Sequence, residues 1–149
     1  MKIRQEKIAS GEEEILLRYQ NMTPEWQEIL HYLEGKKVSV IGKRQERQYV
    51  LRPEAIYYFE SVDNNLFAYG KDAEYQVEDT LTEIEEKLKA NGFFRCNKSF
   101  VINLNKIQSL RSEIGNRIDA RMDNGEHLIV SRRYAKEFRE RLQGGNIHG

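Results

Sequence analysis

"FFRCNKSFVINLNKI", residues 93–107, decides how the rest of the chain is read. Two phenylalanines open it, Arg95, Asn97, Lys98 and Ser99 surround a lone cysteine in the middle, and Val101, Ile102 and Leu104 then resume with Asn103 and Asn105 interleaved. Short apolar runs rich in aromatic and β-branched residues, bounded by polar ones, read as strands. The stretch is therefore core, a polar interruption, and core again. A basic, amide-bearing tip held between two packed segments calls for a reason beyond packing.

Working outward, the same texture recurs. KKVSVIG, RQYVLR, AIYYFES, NLFAYG and AEYQV are short strand candidates separated by turn-prone residues, all after Gly35. Thr80 and Glu83 form a capping-box pattern, and Leu81, Ile84 and Leu88 keep helical spacing until Asn91-Gly92 stops the helix. Beyond the quoted stretch, RIDARM alternates, with Ile118, Ala120 and Met122 on one side and Arg117, Asp119 and Arg121 on the other. Asn124-Gly125 then turns the chain into HLIV, which predicts a hairpin. Ser131 is placed to cap a closing helix in which Tyr134, Phe138 and Leu142 lie four apart, leaving Arg132, Arg133, Lys136 and Arg139 outward.

Before Gly35 the pattern differs. EEILLRY, residues 13–19, reads as a strand, and Thr23-Pro24 opens a helix with Trp26, Ile29, Leu30 and Leu33 on one face, ended by Gly35. Residues 1–35 are thus a strand-helix extension too short for a core of its own, ahead of a domain over residues 36–149. Its apolar face either covers the main sheet or meets a partner. The fold class is mostly β with short helices, a β-rich α+β protein.

Composition narrows the function. With 39% hydrophobic and 32% charged residues and only two prolines, a chain of 149 residues suits one soluble domain with a real core. No apolar run approaches the roughly 20 residues of a spanning helix, and the N-terminus lacks the apolar segment of a signal peptide, which points to the cytoplasm. Cys96 is the only cysteine, and His31, His127 and His148 have no ligand spacing, so neither a metal nor another cofactor is expected. Cys96, following two phenylalanines, reads as a small packing residue.

The formal charge of zero is unevenly spread. Residues 1–35 carry a balance of −3, residues 36–94 of −2, and residues 95–149 of +5. SRRYAKEFRERL, residues 131–142, holds five cations against two acids. A local positive field of this kind suits a polyanionic partner. No nucleophile motif and no glycine-rich phosphate loop occurs, which makes an enzyme the poorest reading. The polar types present suit nucleic acid better, because Lys and Arg hold phosphates, Arg forks onto guanine and Asn pairs with the edge of adenine. SVDNN (61–65), RCNKS (95–99) and SRRYAK (131–136) concentrate them at strand ends.

AIYYFESVDNN, FFRCNKSFVINLNKI and GEHLIVSRRYAKEF, in that order and spacing, resemble the LytTR DNA-binding domain of bacterial transcription regulators, over about residues 45–142. The resemblance implies an elongated fold of small antiparallel sheets whose loops, rather than a recognition helix, enter successive major grooves of double-stranded promoter DNA. It places base-reading residues at Asn65, Lys98 and Arg132. Asn64, Arg95, Asn97, Ser99, Ser131, Arg133 and Lys136 then touch the DNA backbone or support the loops. It further implies two protomers on paired direct repeats, a regulator without a receiver domain, and an inhibitory membrane protein as a possible partner. A single-strand or RNA binder and a protein interaction module with an incidental basic face stand as the alternatives.

Overall fold

In the computed structural model, residues 2–34 and 38–144 are described. The chain runs α1 (Pro24–Leu33), β1 (Val40–Arg44), β2 (Arg47–Leu51), β3 (Tyr58–Val62), β4 (Asn65–Tyr69), β5 (Glu74–Val77), α2 (Leu81–Lys87), β6 (Phe93–Arg95), β7 (Phe100–Asn103), β8 (Ile107–Glu113), β9 (Arg117–Met122), β10 (His127–Val130) and α3 (Arg132–Gly144). Short 3-10 turns at Pro53–Ala55, Lys89–Asn91 and Leu104–Lys106 link some of these. The strands make two sheets, one of seven strands in the order β2-β1-β5-β4-β3-β7-β6 and one of three in the order β10-β9-β8. Every pairing is antiparallel.

Successive residues of a strand face opposite sides of its sheet, and around β3, β6 and β7 the large sheet buries both. Phe93 and Val101 join Phe59, Leu66, Ala68 and Val77 on the side covered by Leu81, Ile84 and Leu88 of the α2 region. Phe94 and Ile102 join Tyr58 on the other side, where they meet Ile118, Ala120, Met122, Leu128 and Val130 of the small sheet and Phe138 of α3. The double phenylalanine thus supplies one ring to each of two cores. Consecutive large apolar residues with no alternation are what a strand covered on both faces requires.

Local chemistry sets the element ends. Thr80 Oγ1 accepts the Glu83 amide at 3.1 Å while Glu83 returns a carboxylate to the Thr80 amide at 2.8 Å, completing the predicted capping box of α2. Asp63 and Asn64, both at positive φ, make the two-residue turn from β3 to β4 that a right-twisted hairpin favours. Asn103, 1% exposed, satisfies its amide by donating to the Ile56 carbonyl at 2.8 Å and accepting from the Asn105 amide at 3.0 Å. One of the interleaved asparagines is therefore a buried brace.

The N-terminal region departs from expectation in two ways. Residues 13–19 form no strand: Ile15 and Leu16 are 70% and 76% exposed, because no neighbouring strand offers EEILLRY a ladder. The α1 helix forms as predicted, with Thr23 Oγ1 accepting the Trp26 amide, but it packs beside the Lys89–Asn91 turn rather than over the main sheet. None of its residues is fully buried, and Trp26 lies against the Tyr19 ring. The predicted stop at Gly35, the boundary drawn there, and His148 lie outside the described residues.

Candidate nucleic-acid interface

The loop between β6 and β7 is built by its own polar residues. Arg95 donates through Nε to the Asn97 carbonyl at 3.0 Å and through Nη2 to the Lys98 carbonyl at 2.8 Å, and its Nη1 meets Glu85 Oε1 of α2 at 3.3 Å. The Asn97 side chain accepts the Ser99 amide at 2.8 Å and donates to the Ile129 carbonyl of β10 at 2.8 Å. Both side chains are engaged in holding the loop. The loop they hold carries Lys98 at the surface, its side chain exposed.

The same loop ties the other two predicted segments to it. The Ser61 amide at the end of β3 donates to the Ser99 carbonyl at 2.9 Å, and the Ser131 amide at the start of α3 donates to the Cys96 carbonyl at 2.9 Å. SVDNN, RCNKS and SRRYAK, separated by tens of residues in sequence, are thereby stitched side by side. Asn64, Asn65, Lys98, Arg132, Arg133 and Lys136 are all exposed along this row, while Ser99 and Ser131 are half-buried beneath it. Arg132 and Arg133 also stand in the first turn of α3, where the helix dipole adds positive potential.

Individual positions differ in how free they are. Asn65 Nδ2 donates to the Asp63 carbonyl at 3.3 Å and its Oδ1 accepts from Gln76 Nε2 at 3.2 Å, so its amide is partly engaged. Asn64, at φ 65° on the tip of the turn, makes no side-chain hydrogen bond among the described residues. Arg133 lies over the Tyr134 ring at 5.3 Å. Cys96 is fully buried under the row, and burial pushes its thiol up to about 12, which fits a packing residue. Tyr57, Tyr58 and Phe59 are buried too, so these rings offer no platform for unpaired bases.

Two features escaped the sequence reading. Glu85, an acid of α2 to which the sequence pattern assigns no role, anchors Arg95. Asp119 alternates outward in RIDARM but is only 8% exposed, because His127 Nδ1 lies 2.9 Å from its Oδ1 and Arg111 Nη2 3.7 Å from its Oδ2. A basic residue within reach on each flanking strand was the available signal, visible only once β8, β9 and β10 were in register.

A mostly antiparallel β protein whose exposed cations and amides lie on the β3–β4 turn, the β6–β7 loop and the first turns of α3, tied together by backbone hydrogen bonds, is a scaffold suited to a polyanion. Comparison with known proteins makes the class specific. Residues 46–143 match the model of the LytTr DNA-binding domain, and the chain belongs to that family. It is similar to the sensory transduction protein LytT of Enterococcus faecalis, 35% identical over 98 residues that cover 66% of this chain and 40% of that protein. The transcriptional regulatory protein YpdB of Escherichia coli is also 35% identical over 98 residues, covering 65% of this chain and 40% of its own length. A LytTr DNA-binding domain from Bacillus cereus superposes with a TM-score of 0.67 at 28% identity, over 71% of this chain and 97% of that domain. The chain therefore spans about 40% of the length of these two curated relatives. The protein thus carries a LytTr DNA-binding domain, with the mostly antiparallel fold that the sequence predicts.

Proposed function

We propose that this protein regulates transcription by reading duplex promoter DNA with its three stitched loops, which enter successive major grooves. The observation that carries the reading is the row of backbone bonds Ser61–Ser99 and Cys96–Ser131, which presents the three polar segments as one surface. On this reading Lys98 and Arg132 meet base edges, and the β3–β4 turn contributes an asparagine amide. Asn65 is the residue the family resemblance implies, and Asn64 has the freer side chain. Arg133 and Lys136 hold phosphates, the first turn of α3 adds its amides, and Ser99 and Ser131 fix the loops. Arg95 and Asn97 support from within.

Two protomers on paired direct repeats and a membrane protein that restrains the regulator complete the proposal. The exposed apolar side chains of Ile15, Leu16, Tyr32 and Leu33 give such a partner a surface to meet, and the site of action is the cytoplasm. The test is a mobility shift on the DNA upstream of the protein's own gene, with excess unrelated duplex. Wild type forms a specific complex, and Lys98→Ala and Arg132→Ala each weaken it by about 1–3 kcal/mol against that site alone if they read bases. Equal weakening on every sequence assigns the residue to a phosphate instead. A folded protein with no preference for any duplex refutes the proposal.

A further inference from the structure

We propose that β8 is a pairing edge for a second copy of this chain. In the three-stranded sheet β9 holds one side of β8, and among the described residues no strand holds the other. An edge strand turns alternate N–H and C=O groups away from its neighbour, and such groups pair with another strand unless the edge is blunted. The one irregularity in β8 is the register shift between Ile107 and Ser109, so residues 109–113 run in regular register against β9. Outside that ladder, no backbone hydrogen bond engages residues 108–114 among the described residues.

The side chains say which strand fits. Leu110 is 39% exposed and Ile114, just past the strand, is 97% exposed, so both are free to pack against another chain. Between them stand Arg111, Ser112 and Glu113, so the segment reads apolar, positive, small, negative, apolar. Laid antiparallel on its own copy with the two-fold axis through Ser112, Leu110 faces Ile114 of the second chain and Arg111 faces Glu113, twice over. Moving the pairing by two residues puts Arg111 opposite Arg111 or Glu113 opposite Glu113. The complementarity is that of the segment with itself, which selects a second copy over a foreign strand. Arg111 already reaches Glu113 of its own chain at 2.9 Å on the surface, so the pair can exchange partners without crossing the core.

This contact is isologous, whereas protomers on a direct repeat are related by translation. It therefore joins protomers on separate sites or free in solution, and stands whether or not the loop-reading proposal holds. The experiment is sedimentation velocity on the full chain over a concentration series reaching millimolar. Wild type shows reversible dimer formation; Arg111→Glu and Glu113→Arg each place like charges opposite one another and weaken it about tenfold or more. An equimolar mixture of those two variants restores dimerisation, because each then meets its opposite. Ile114→Asp, at a fully exposed tip, also weakens it and keeps the test valid if Arg111→Glu beside Asp119 fails to fold. A wild type that stays monomeric throughout, charge variants that associate as wild type does, or a mixture of folded variants that fails to recover overturns the proposal.

Discussion

Replacing Arg95 with alanine separates support of the interface from contact with the ligand. The guanidinium makes two bonds to loop carbonyls and one to Glu85, with its side chain 19% exposed and that of Glu85 40% exposed. A hydrogen bond to a charged group contributes about 1.5–3 kcal/mol when shielded, and the half-open Glu85 pair much less. Allowing for water reaching the freed carbonyls, Arg95→Ala should cost about 2–3 kcal/mol of stability, or about 6–9 °C in Tm for a chain of this size. Reordering one or two loop residues on binding costs about 1–2 kcal/mol each, which predicts a loss of DNA affinity of about fivefold or more. The decisive readout is the slope of log affinity against log salt. It should match wild type, because Arg95 gives no charge to a phosphate, whereas a lost phosphate contact lowers the slope by about 0.9. Arg95→Lys should rescue little, since an ammonium cannot fork across two carbonyls. An unchanged Tm with a reduced slope would refute this assignment and make Arg95 a phosphate contact.

Other consequences follow from the packing. Cys96 should resist maleimide in the native protein at neutral pH and react once the chain is unfolded in urea; fast native labelling would mean that the loop opens. Because burial raises the folded thiol to about 12, its contribution is complete below the ordinary thiol range near about 8.5 and is lost as pH rises from there toward about 12. Wild type minus Cys96→Ala stability, followed by urea unfolding, should therefore narrow above pH about 8.5. Gly42→Ala should destabilise by about 1–3 kcal/mol, as the added Cβ falls 2.7 Å from both Leu51 Cδ1 and Tyr75 Cβ. Asn103→Ala should cost about 2–4 kcal/mol in chemical denaturation by stranding the Ile56 carbonyl and the Asn105 amide.

Most strands were legible because alternation and turn chemistry agree, as in RIDARM, Asn124-Gly125 and HLIV. The α2 capping box was legible for the same reason, being a local signal with a local cause. What escaped depends on neighbours remote in sequence. EEILLRY has strand propensity but no partner strand, so propensity alone misleads. The sequence places Arg95 and Asn97 in a basic loop, but only the approach of Glu85 and Ile129 decides that both turn inward. The three candidate segments were legible as polar islands; their adjacency rests on backbone bonds spanning 38 residues from Ser61 to Ser99 and 35 from Cys96 to Ser131, which composition cannot foretell.

The bonds from Ser131 to Cys96 and from Asn97 to Ile129 cross the seam between the seven-stranded and three-stranded sheets. The candidate interface therefore belongs to neither sheet alone. A rigid polyanion laid along it acts as a splint over a joint, and by reciprocity whatever stiffens the joint tightens the grip. The spacing between the loops is then a mechanical property of the seam, set by how the two sheets lean on Phe94 and Phe138. If the loops read DNA as proposed, substitutions in that buried contact retune which groove spacing is accepted while leaving every surface residue unchanged.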